Sequence, residues 1–179
     1  MSNKRKIYIL LTRLFDNGSK AIGVLTNSYY THASIGLEKD LNTFYSFVTK
    51  GFKIEKITKY VRPDREPYPC LLYEMEVSQK TYEAIKQTIQ SFISKKDVYR
   101  YAKLGVVLGL FHIPVIQKRH YFCSQFVAEV LGSTNAVHLT KSSALYYPRD
   151  LSDLPNKKMI FQGHLQSFLN RFVLQPSLA

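Results

Sequence analysis

Tyr121-Phe122-Cys123-Ser124-Gln125-Phe126-Val127-Ala128-Glu129-Val130-Leu131-Gly132 is the stretch around which the rest of the chain can be ordered. Phe122, Phe126 and Val130 recur every four residues, with Val127 and Leu131 beside them, which predicts a helix with one apolar face. Ala128 and Glu129 fall off that stripe, and Gly132 is a natural stop. Cys123 then opens the helix. The first turn of a helix has amides without intrahelical partners and carries the positive end of the dipole, and both favour a thiolate. The same amides, with Ser124 beside the sulfur, could receive an oxyanion during acyl transfer. The competing reading is that Cys123 is a small buried hydrophobe, a common fate of cysteine.

A thiol nucleophile needs a base within hydrogen-bond reach. His32 is the best candidate. Thr31, Ala33, Ile35 and Leu37 alternate with His32, Ser34 and Gly36, as in a strand. The first set reads as core. The second surrounds an imidazole with small residues and leaves room beside it. A strand histidine is also often purely structural. Glu38-Lys39-Asp40 reads as a hairpin turn into a strand over 41–48, where Thr43, Tyr45 and Phe47 share one face and Phe44, Ser46 and Val48 the other. Matching apolar faces sets Tyr45 and Phe47 beside Ala33 and Ile35, with Ser46 on the face of His32. A three-residue loop would put Ser46 nearly opposite His32, and a register shifted by two fits the pattern equally well. No carboxylate stands out as a third member. Ser46 could orient the imidazole, whereas Glu38 and Asp40 lie at the hairpin tip. His120, His112, His138 and His164 have the contexts of approach segments or loops.

Elsewhere, 6–12 reads as a first strand before the turn signal Asp16-Asn17-Gly18, and Ser19 to Leu25 as one or two helical turns. Residues 49–69, basic and ending in Arg62-Pro63-Asp64 and two further prolines, read as mostly loop. Leu71, Tyr73, Met75 and Val77 alternate with Leu72, Glu74 and Glu76 as a third strand, which Cys70 begins as a structural thiol. Ser78 then caps a helix over 79–95, with Tyr82, Ile85, Ile89, Phe92 and Ile93 at helical spacing. Residues 98–116 read as a buried, glycine-softened segment under the site, with an interfacial membrane segment as the alternative. The remainder, 133–179, reads as short strand or loop pieces, with Met159-Ile160-Phe161 the best strand.

With 179 residues and no composition break or repeat, residues 1–179 are expected to form one domain, its core over about 5–165. Apolar residues make up 45% and charged residues 21%, which excludes a disordered chain. The 13 tyrosines and 11 phenylalanines suit a β-containing core. A net charge of +12 attracts phosphates, but the cations are scattered and no arginine stripe alternates with aromatics, so nucleic acid is not the expected partner. Two cysteines without a C-x-x-C make neither a disulfide framework nor a zinc motif, and no metal or cofactor is expected. The apolar run Ile7-Tyr8-Ile9-Leu10-Leu11 is too short for a secretory signal and no later run could span a bilayer, so a cytoplasmic location is expected.

Tyr30-Thr31-His32-Ala33-Ser34-Ile35-Gly36-Leu37, then Phe44-Tyr45-Ser46-Phe47, then Tyr121 to Leu131 resemble the permuted NlpC-like branch of papain-like enzymes. That branch includes the YiiX-like proteins and the lecithin retinol acyltransferase group, and it places the His strand before the Cys helix. The resemblance covers about residues 5–165. It implies an α+β fold in which an antiparallel sheet or half-barrel packs against the Cys-bearing helix and a second amphipathic helix. It implies a Cys123–His32 pair at the junction and a third polar residue on the next strand, by position Ser46, with Tyr45 as the alternative. Non-permuted relatives carry a tyrosine that points at the thiol, for which the resemblance offers Tyr99 or Tyr101 as the counterpart.

The chemistry expected is thiol-dependent hydrolysis or transfer at an amide or ester, with a peptide-like or acyl-lipid substrate. Two alternatives stand beside it. One is acyl chemistry directed at lipids of anionic membranes, with peripheral membrane contact. The other is a non-catalytic module that binds a peptide or lipid on the same fold.

Overall fold

The computed structural model describes residues 4–15, 23, 26, 28–38, 40–61 and 68–174. The turn at Asp16-Asn17-Gly18, nearly all of the helical turns expected over 19–25, Lys39 and the loop at Arg62-Pro63-Asp64 lie outside that set. Among the described residues six strands form one antiparallel sheet in the order β4-β3-β2-β1-β5-β8. They are β1 (Lys4–Thr12), β2 (His32–Leu37), β3 (Thr43–Val48), β4 (Gly51–Lys56), β5 (Pro69–Ser78) and β8 (Lys157–His164). Two short strands, β6 (Arg100–Tyr101) and β7 (His120–Tyr121), pair in parallel apart from it. The helices are α1 (Gln79–Ser94), α2 (Lys103–Gly109), α3 (Cys123–Ser133), α4 (Pro148–Ser152) and α5 (Leu165–Leu169).

The alternation along the central strands sends side chains into two cores. Ile7, Ile9 and Leu11 of β1, Ala33 and Ile35 of β2, Phe47 of β3 and Met75 of β5 are buried on one face. Tyr82, Ile85, Ile89 and Phe92 of α1, and Phe126, Val127, Val130 and Leu131 of α3, cover them. Ser78 caps α1 as its type predicts, its hydroxyl accepting the Thr81 amide at 3.1 Å. The α+β class and the two sheet-packed helices therefore stand as read from the sequence, and the sheet is an open one.

The other face departs from expectation. Tyr8, Leu10, Phe44, Cys70 and Leu72 point there and are sealed by Ile57, Leu165, Phe168 and Leu169. The C-terminal region, expected as loose pieces, thus closes a second core through α5. The room expected beside His32 is filled. A Cβ added at Gly36 would lie 2.7 Å from the Phe44 ring, so glycine there lets the ring lie flat on the strand. Buried on both faces, the central strands gain burial energy from each side chain in turn.

Residues 49–69 are the clearest correction. After a two-residue turn, Gly51–Lys56 pairs back on β3 from Val48↔Gly51 to Thr43↔Lys56, followed by a 3-10 turn at Ile57–Lys59. An edge strand shows one side to solvent, so Lys53 and Ile54 are exposed and the period-two signal is lost. Helix α3 runs one residue beyond Gly132 and is buried almost all round, Ala128 included. Residues 98–116 are not a buried segment: Leu104, Val107, Phe111, Ile113 and Ile116 are exposed. Among the described residues no helix is long and apolar enough to cross a membrane.

Candidate active site

The β2–β3 ladder ends early. Ile35 pairs with Tyr45 and Gly36 with Phe44, a register in which Ser34 would face Ser46 and Ala33 would face Phe47. Of the two registers open from the sequence, this is the one shifted by two. Ser46 is therefore not opposite His32. Its hydroxyl donates to the Ala33 carbonyl at 2.5 Å. The Ala33 amide, on the same edge of the strand, donates to the Cys123 sulfur. The two polar groups that a continued ladder would use are thus taken by a serine and a thiol, and the sulfur is seated where the strands part.

Helix α3 carries the sulfur there. Its first turn is fixed by the Gln125 side chain, whose oxygen accepts the Phe122 amide at 3.4 Å. Below it the Phe126 ring packs on Phe92 and Phe47, with ring centres 4.9 and 5.4 Å apart. Aromatic packing of this kind holds a backbone closely, because each ring has a preferred edge-on or offset geometry.

His32 presents Nε2 to Glu55, at 3.1 Å from both carboxylate oxygens. That leaves Nδ1 as the open ring nitrogen, and the Cys123 thiol is among the groups that act on the imidazole. Glu55 accepts a third bond from the Tyr60 hydroxyl at 2.7 Å, and Lys53 donates to that hydroxyl at 3.0 Å. A cation, a phenol, a carboxylate, an imidazole and a thiol are linked in succession.

The electrostatics follow. Burial is the largest single influence on His32 and lowers its pKa, but the negative charge of Glu55 and hydrogen bonds to Cys123 and Glu55 outweigh it, raising the imidazole to about 10. Burial pushes Glu55 up, yet the His32 charge and the bonds from His32 and Tyr60 hold it below its ordinary value. Burial likewise pushes the Cys123 thiol up, and the bond and charge of His32, with the Ala33 and Ser124 amides, bring it below the ordinary value of 9.0. The arrangement favours thiolate beside imidazolium over thiol beside imidazole. Cys70 has burial alone and rises to about 12, as a structural thiol should.

Of the residues singled out from the sequence, Cys123, His32 and Ser124 lie together. Ser46 is next to them but bonded to backbone, and the imidazole partner is Glu55, a carboxylate that the loop reading of 49–69 hid. Tyr45, opposite Ile35, is on the other face of the sheet from His32. Tyr99 stacks on Phe92 with centres 4.6 Å apart, within the aromatic cluster that supports α3, and Tyr101 is partly buried against the same core. Among the described residues Thr12 Oγ1, Ser34 Oγ and Ser124 Oγ are buried without a hydrogen-bond partner. Thr12 pairs across from His32 and Ser34 follows it by two, so these hydroxyls border the site. Cys123 keeps 5% and His32 6% of their surfaces exposed, so a substrate reaches the sulfur only when neighbouring side chains give way.

No family model matches the chain, and no curated protein matches it. Among solved structures, the metalloprotein YiiX from Escherichia coli O157:H7 superposes with a TM-score of 0.57 at 13% identity, over 89% of this chain and 98% of that one. The fold is YiiX-like. Among the described residues of this chain no group of three or more His, Cys, Asp or Glu side chains is placed to hold a metal ion. Both Glu55 oxygens are engaged with His32, so His32, Cys123 and Glu55 bond in sequence and do not converge on one point.

Proposed function

We propose that the chain is a thiol-dependent acyl hydrolase or acyltransferase with a permuted papain-like site: Cys123 as nucleophile, His32 as base and Glu55 as the residue that orients and charges the imidazole. What supports this reading is the buried Glu55–His32 pair together with the lowering of the Cys123 thiol by His32, at a helix N-terminus. A structural cysteine needs no buried carboxylate two bonds away, and burying such a charge is costly unless something uses it.

The steps balance in charge and protons. His32 holds the proton that left the thiol. The thiolate attacks an amide or ester carbonyl, and a C–S bond forms as the carbonyl oxygen becomes an oxyanion beside the free amides of the first turn of α3. Imidazolium returns its proton to the departing amine or alcohol as the C–N or C–O bond breaks, leaving a thioester. Water or a second acceptor, deprotonated by His32, attacks the thioester and frees the sulfur. Glu55 stays ionised throughout and stabilises the imidazolium.

The test is alkylation by iodoacetamide across pH, read by mass spectrometry at Cys123 and Cys70. Cys123 should label with an apparent pKa below the ordinary 9.0, and Cys70 only at much higher pH. Hydrolysis of activated thioesters and esters should vanish in Cys123→Ala. A Cys123 that labels like a free thiol, or turnover that survives Cys123→Ala, sinks the reading.

A further inference from the structure

The short helix α2 is held firmly on one side and left bare on the other. Gly105, Val106 and Gly109 are buried, and Val106 packs with Ala102 and Phe122. The Tyr147 hydroxyl donates to the Val106 carbonyl at 2.8 Å and occupies the space a Cβ on Gly109 would need, 2.6 Å away. On the outer side, and along the loop that follows, Leu104, Val107, Phe111, Ile113 and Ile116 expose between 50% and 76% of their surfaces. His112, between Phe111 and Ile113, and Arg119, beyond Ile116, take positive φ, 59° and 64°. Bulky apolar groups gathered on a pinned segment mark a surface that meets something.

Charge says what it meets. Lys95, Lys96, Arg100, Lys103, Lys118 and Arg119 flank the apolar run and are all exposed, and between Lys95 and Arg119 the only acidic residue is Asp97. An apolar centre with a cationic margin, on a chain of net charge +12, complements a bilayer whose headgroups are anionic: the apolar side chains enter the acyl boundary and the cations stay at headgroup depth. We propose that 104–116 docks this protein on anionic membrane surfaces, with Phe111 and Ile116 as the inserting side chains. The buried side of α2 rests on Phe122, which immediately precedes Cys123, so docking brings the bilayer to the end of α3 that carries the sulfur. The docking itself does not depend on the thiol chemistry.

The chain has no tryptophan, so one introduced indole reports alone. Phe111→Trp is compared with Met159→Trp, an exposed site on β8, using vesicles of phosphatidylcholine with and without phosphatidylglycerol. A blue shift is expected for Phe111→Trp alone, with phosphatidylglycerol alone, and reversed by salt. In co-sedimentation, Phe111→Ser with Ile116→Ser should weaken binding about tenfold or more. Lys103→Glu and Lys118→Glu should each weaken it about fivefold or more. Cys123→Ser should bind as the parent does, which separates failure of docking from failure of the thiol mechanism. Absence of binding at low salt, binding indifferent to lipid charge, or a blue shift that grows with protein concentration in the absence of vesicles overturns the proposal; the last would assign the patch to a second copy of the chain.

Discussion

Glu55 decides how strongly the thiol and imidazole act on each other. Its charge is the main influence raising His32, and the imidazolium in turn lowers Cys123. Glu55→Gln keeps the shape and removes the charge, so kcat should fall about 10²- to 10⁴-fold. The pH profile should narrow from both sides, because the thiol moves up and the imidazole moves down. A purely structural role for Glu55 would change the amount of folded protein and leave the profile in place. Stability carries the same signature, best read in Cys123→Ser so that the sulfur does not titrate. Glu55, depressed when folded, contributes above its ordinary 4.5 and loses that as pH falls through its folded value. His32, still raised by Glu55 when folded, contributes below its ordinary 6.5 and loses that as pH rises through its folded value. Both contributions are complete only between 4.5 and 6.5, where Glu55→Ala should cost about 3–5 kcal/mol in denaturant melts. His32 and Cys123 were legible as candidates because each stands out from its own strand or helix pattern. Glu55 was not, because Lys53-Ile54-Glu55-Lys56 has the look of a solvated charged loop, and only pairing with β3 turns one of those charges inward.

At the level of elements, the β3–β4 hairpin is what delivers that carboxylate. Its turn ends at Gly51, with φ of +107° and a would-be Cβ 2.6 Å from the Tyr99 carbonyl oxygen. Neither demand suits another residue. Gly51→Ala should therefore destabilise the protein by about 2–3 kcal/mol in thermal or denaturant melts. It should also raise the Cys123 labelling pKa, although it lies far from the sulfur in sequence, because β4 shifts and Glu55 with it. Helix α1 was readable because a 3.6-residue period survives where one side is buried, and α3, buried almost all round, because Phe122, Phe126 and Val130 still recur every four residues. Strands β2, β3 and β5 were readable from alternation, and β1 from its β-rich composition beside a turn signal. The edge strand β4 and the segment around α2 were not, since each breaks its period where apolar side chains face solvent.

Across the molecule, the sheet is covered on both faces, and the two covers have different tasks. The α1–α3 layer positions the sulfur; the α5 layer closes the core behind the imidazole's face of the sheet. Phe168 of α5 is fully buried among Phe44, Phe161 and Phe172, with ring centres 5.3–6.4 Å apart. Phe168→Ala should lower stability by about 3–5 kcal/mol. Its effect on the thiol pKa of the remaining folded protein should be small, which distinguishes scaffold from site. The α5 layer escaped the sequence reading because its helix is only five residues long, too short to show a period.

The parting of β2 from β3 has one more consequence. In an ordinary sheet the backbone is indifferent to what the side chains are doing, but here one rung of the ladder is a sulfur atom. On the proposed mechanism, acylation would make that atom a poorer acceptor, and the Ala33 amide would have to look elsewhere. Each catalytic cycle would therefore tug on the seam of the sheet, so that the state of the reaction is written into the scaffold that holds it.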